Sequence, residues 1–141
     1  MRAGLLDGQS RWSTPTPLRA PCHDWELIQV GNCGSGIETD AGWLVLTHGA
    51  DPMRQYAIGA LLIDLHQPEH VIADLADPLL EPDETERHGY VPNVVYSCGG
   101  LVHDGVLWLP YGAGDARVGF ATIAVGTLIA AMASTRTPAP A

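Results

Sequence analysis

The chain has 141 residues, 46% of them apolar, and its 16 acidic and 7 basic side chains give a formal charge of −9. Every basic residue is an arginine; lysine is absent. This composition fits a single core-forming unit. It excludes a highly charged disordered chain, and it excludes a protein that tracks nucleic-acid backbones or anionic bilayers through a basic surface.

No apolar stretch approaches the roughly 20 residues of a membrane helix. The opening Met1 to Asp7 is charged and lacks a signal-peptide core. A soluble, cytoplasmic protein is therefore expected. Cys22, Cys33 and Cys98 form neither a C-x-x-C pair nor a zinc spacing, so reduced, idle thiols are expected and no metal.

Residues 1–20 carry Pro15 and Pro17 and read as a loop or edge segment. Short β-rich runs follow, broken by Gly, Pro and Asp. They are Trp25 to Val30, Trp43 to Thr47, Ala57 to Leu65, Val71 to Ala73, Val94 to Cys98, Leu101 to His103, Val106 to Tyr111 and Val118 to Val125. Ala57 to Leu65 is almost wholly apolar, as a strand buried on both faces would be. Asp104-Gly105 between two apolar runs predicts a tight hairpin. One helix is predicted over Gly126 to Ala133, with Thr127 as its cap. The tail, residues 134–141, is expected to fray. Short, evenly spaced strands favour an all-β propeller or sandwich over a parallel α/β fold.

Polar residues gather beside glycine at four places: Gly31 to Thr39, Thr47 to Asp51 with Arg54 and Tyr56 behind it, Glu86 to Tyr96, and Tyr111 to Asp115. The first is no phosphate-cradling loop, since neither Lys nor a helix pattern follows it. Together the four segments are rich in aromatic, amide and carboxylate groups. Aromatic faces stack on sugar rings, and amides and carboxylates bind their hydroxyls.

Ordered segments carry a family resemblance: Ile28 to Ser35, Gly42 to Gly49, Ile58 to Leu65, Gly89 to Gly99, and Pro110 to Gly112 with Asp115. The chain resembles glycoside hydrolase family 130, the β-mannoside phosphorylases and β-mannosidases, over about residues 11 to 132. The resemblance implies a five-bladed β-propeller of which this chain is the C-terminal part only. Residues 21–133 would form the C-terminal blades, ending in a short helix.

It also implies site residues. His48 and Tyr56 match positions that help bind phosphate, and Asp115 matches a carboxylate on the mannose ring. Asn93 lies in the matching strand entry and is included with the substrate-binding residues. Gln29 stands where the phosphorylases place a Lys, and many relatives have Pro where Gly36 stands. A neutral amide at residue 29 lacks the charge that a phosphate dianion favours. The expected activity is therefore inverting hydrolysis of β-mannosides. Glu38 would activate water, with Glu81 and Glu86 as weaker candidates, and a general acid would come from earlier blades that this chain lacks. The alternatives are phosphorolysis, with inorganic phosphate as co-substrate, and a non-catalytic sugar-binding or assembly fragment. A β-mannoside oligosaccharide is the expected ligand. No cofactor is implied, and a homo-oligomer is one of the expected associations.

Overall fold

In the computed structural model, residues 2–3 and 14–133 are described. The tail expected to fray lies outside them. The elements in chain order are β1 (Arg2–Ala3), β2 (Thr16–Pro17), a 3-10 turn (Asp24–Glu26), β3 (Gln29–Asn32), β4 (Ile37–Thr39), β5 (Gly42–Ala50), β6 (Tyr56–Ile63), β7 (Val71–Asp74), β8 (Val95–Tyr96), β9 (Leu101–His103), β10 (Val106–Ala113), β11 (Arg117–Ala124) and α1 (Val125–Ala133).

The chain is all-β apart from α1 and the 3-10 turn, and every pairing between these strands is antiparallel. β5 and β6 form the spine of the larger sheet. β3 and β4 share the outer side of β5, and β7 follows β6. In the smaller sheet β10 is central, with β11 on one side and β8 and β9 sharing the other. No helix among the described residues is long and apolar enough to cross a membrane.

Alternation along the strands builds the core. Leu44, Leu46, Ile58 and Leu62 from the larger sheet meet Leu107 and Leu109 from the smaller one, and Leu128 and Met132 of α1 close the cluster. At about 25 cal/mol per Å² of apolar surface removed from water, each such side chain contributes roughly 1.5–3 kcal/mol. β6 is buried on both faces, as its composition predicts. The Asp104-Gly105 turn also forms as expected, with φ of 49° and 73° and with Val106 opposite His103.

The predicted strand from Trp25 begins instead at Gln29. Glu26 is the reason. Its carboxylate accepts hydrogen bonds from the backbone N–H groups of Cys22 and His23, which stabilises a tight turn that an extended chain could not make. The turn seats Trp25 over two glycines of neighbouring strands. A Cβ at Gly49 or Gly59 would lie 2.5 Å from its ring carbons. Trp25 thus covers this face of the larger sheet around Gly49 and Gly59.

Candidate functional site

His48 lies on β5 between Gly31 of β3 and Ile58 of β6. The missing side chain at Gly31 makes room for it, since a Cβ there would stand 2.6 Å from the imidazole Cε1. Tyr96 meets the imidazole edge-to-face, with ring centroids 5.1 Å apart. Nδ1 is 3.8 Å from Cys33 Sγ. Burial pushes the Cys33 thiol up to about 11, so it faces His48 as a neutral group. Burial also lowers the His48 pKa below 6.5, opposed in part by the backbone carbonyl of Asn32. His48 is therefore neutral at pH 7 and acts as a hydrogen-bonding group, not as a fixed cation.

Tyr56 opens β6, opposite Ala50, and its N–H donates to the carbonyl of Asn93 at 2.9 Å. It also bridges to Val94. The carbonyl of Val94 accepts from Gly114 N–H, which fixes the turn carrying Asp115. Backbone bonds at residues 93 and 94, with the ring contact of Tyr96, thereby join the neighbourhoods of Tyr56, Asp115 and His48. Asp115 is exposed at φ 53°, and Asn93 takes a left-handed φ of 59° at the strand entry, a conformation asparagine tolerates well.

Glu38 is elsewhere. It is exposed on β4 opposite Trp43, five residues along β5 from His48, which is about 17 Å at 3.3–3.4 Å per residue. Glu81 accepts a hydrogen bond from Gln55 Nε2 at 3.3 Å. Glu86 accepts one from the Tyr111 hydroxyl at 2.7 Å, which drives the Tyr111 pKa up to about 12. Glu86, Tyr96 and Tyr111 all lie in segments the sequence reading singled out, but the Glu86–Tyr111 and His48–Tyr96 contacts join residues distant in the chain and were not legible there.

A second polar group is buried away from His48. Arg19 pairs with Glu26 and, at 3.0 Å, with Asp74, whose Oδ2 also meets His23 Nε2 at 2.7 Å. Cys22, His23 and Glu26 bring potential ligand atoms within 4.8 Å of one another. The Arg19 guanidinium already supplies the positive charge that a metal ion would bring. Burial also raises the Cys22 thiol, which disfavours the thiolate a metal needs. An open cleft of about 440 Å³ beside this group is lined by Asp24, Asp77 and Glu81 as well as His23 and Trp25, so its walls repel anions.

A family model described as β-1,4-mannooligosaccharide phosphorylase matches residues 18–134. The chain belongs to glycoside hydrolase family 130. The family match fills most of the chain. It is 40% identical over 119 residues to the 1,2-β-oligomannan phosphorylase of Thermoanaerobacter sp. strain X514, covering 83% of this chain and 40% of that protein. A β-1,2-mannobiose phosphorylase of the same strain is 41% identical over 102 residues, 72% of this chain and 34% of that one. The solved β-1,2-mannobiose phosphorylase of Listeria innocua superposes with a TM-score of 0.84 at 26% identity, covering 91% of this chain and 37% of that chain. The chain thus spans about 40% or less of the length of these family 130 relatives.

These relatives overturn the expectation of inverting hydrolysis and of a glycosidase, because each is named as a phosphorylase. The expectation of hydrolysis rested on the neutral Gln29 and on Glu38 as the group that activates water. The register puts Glu38 at the far end of β5 from His48.

Proposed function

We propose that this chain supplies part of a β-mannoside phosphorylase and forms the C-terminal sheets of a five-bladed β-propeller. The observation that carries the reading is the 40% identity over 119 residues to a 1,2-β-oligomannan phosphorylase. Inorganic phosphate attacks the mannosyl C1 from the face opposite the leaving sugar. The C1–O bond to that sugar breaks, and a general acid from the rest of the propeller protonates the departing oxygen. Mannose 1-phosphate and a chain one sugar shorter result. His48 and Tyr56 hold phosphate, and Asp115 binds hydroxyls of the mannose ring. Asn93 shapes the strand entry beside Tyr56. Neutral His48 donates a hydrogen bond without adding charge, so arginines outside residues 1–141 supply the balancing cation.

The test joins this chain to the portion of the Thermoanaerobacter relative that it does not span and supplies a β-1,2-manno-oligosaccharide with and without millimolar phosphate. Mannose 1-phosphate should form only with phosphate. Free mannose released at the same rate in either condition overturns the reading.

A further inference from the structure

Two Cys-Gly pairs meet beside the His48 pocket. Cys33-Gly34 lies in the break between β3 and β4, and Cys98-Gly99 follows β8. The two segments touch through their glycines. A Cβ on Gly34 would stand 2.2 Å from the Cys98 carbonyl oxygen and 2.8 Å from the Gly99 Cα, and one on Gly99 would stand 3.5 Å from the Cys33 carbonyl oxygen. Gly34 has a φ of 82° and Gly99 one of 129°, conformations that a side chain would disfavour. A disulfide needs its two Cα atoms within about 7 Å, and this backbone contact lies one residue along from both cysteines. Cys33 is wholly buried and Cys98 is exposed, and both are free thiols.

We propose that Cys33 and Cys98 form a reversible disulfide, a modification site that exchanges with small-molecule disulfides. Cys98 is the entry point, because its sulfur is the one that solvent reaches. It attacks one sulfur of the incoming disulfide, the S–S bond breaks, and one half departs as a thiol. Cys33 then attacks the Cys98 sulfur, the mixed S–S bond breaks, and the second half departs as a thiol. The chain loses two electrons and two protons, and the small disulfide gains them. Burial keeps Cys33 protonated near neutral pH, so its attack needs a proton acceptor; His48 Nδ1, 3.8 Å from its sulfur, stands in place for that. The bond would be felt at His48. Cys33 touches the imidazole, and Tyr96, two residues before Cys98, meets it edge-to-face. Drawing the two sulfurs together therefore alters two sides of the pocket at once. Cys22 has no part in this, since its sulfur lies against Glu26 and Asp74.

The experiment treats the chain with 2-hydroxyethyl disulfide, a neutral probe that the net charge of −9 does not repel. After the remaining thiols are alkylated, trypsin and a Glu-specific protease release Cys33 within residues 27–38 and Cys98 within residues 88–117, both apart from Cys22. Mass spectrometry of the non-reduced digest should find these two fragments joined, with two hydrogens lost, and dithiothreitol should part them. In the intact chain the His48 imidazole NMR signals should move on oxidation and return on reduction, and they should stay in place when Cys98→Ser is treated in the same way. No activity is read, so failure of the phosphorylase reading leaves the result intact. Cys98 that keeps half of the probe while Cys33 stays a free thiol overturns the proposal. So does a chain that the probe leaves unchanged, or Cys98 linked to Cys22 or to a second chain. A Cys33–Cys98 bond that leaves the His48 signals unmoved overturns its reach into the pocket.

Discussion

Protonating the His48 imidazole places a charge in a partly buried pocket between Gly31, Cys33 and Tyr96. Neither neighbouring group offsets that charge, since the Cys33 and Tyr96 pKa values are both raised and both groups stay neutral in acid. The folded-state pKa of His48 lies below the ordinary 6.5. Between those two values the unfolded chain binds more protons than the folded one. Stability from this residue is therefore complete above about pH 6.5 and is lost as pH falls through the folded pKa. Replacing His48 with Gln should flatten the acid side of a Tm-versus-pH curve below pH 6.5 and leave the slope above pH 7 unchanged. An unchanged acid slope would place the titrating group elsewhere.

The N-terminal turn is held to the larger sheet by charges that are almost wholly dehydrated. The side chains of Arg19, Glu26 and Asp74 are 6%, 0% and 1% exposed. Removing the one guanidinium that faces two buried carboxylates should cost about 3–5 kcal/mol, because Glu26 and Asp74 then stay buried without that compensation. Arg19→Gln should therefore lower the stability measured by urea unfolding by an amount in that range. A loss below about 1 kcal/mol would mean that the two carboxylates reach water instead. This element also marks where sequence reading stops. The hairpin at Asp104-Gly105, the doubly buried β6 and the terminal helix are written in local pattern, and so were visible. Arg19 and Asp74 are 55 positions apart, and no local signal joins a proline-rich stretch to the end of β7. The same limit applied at the site. His48, Tyr56 and Asp115 could be named singly from the resemblance. The separation of Glu38 from His48 follows only from the register of β3 and β4 along β5, which composition does not reveal.

Across the whole molecule, two sheets share one core, and the proposed reading takes the general acid from outside residues 1–141. General acid assistance typically contributes about 10²- to 10⁴-fold in rate. The isolated chain should accordingly give no phosphate-dependent release of mannose 1-phosphate, while the fusion described above does. Turnover by the isolated chain at a rate comparable to the fusion would locate the acid within residues 1–141.

The two walls of the molecule also differ optically. Trp25 is clamped over Gly49 and Gly59, with its Nε1–H donating to the carbonyl of Ala76 at 2.9 Å. Trp108 stands 44% exposed on the bare wall. A tryptophan's emission shifts to shorter wavelength, and its collisional quenching by iodide or acrylamide falls, when water leaves the ring. Trp108 is one of four tryptophans, and its contribution, read as the difference from Trp108→Phe, reports whatever covers that exposed face.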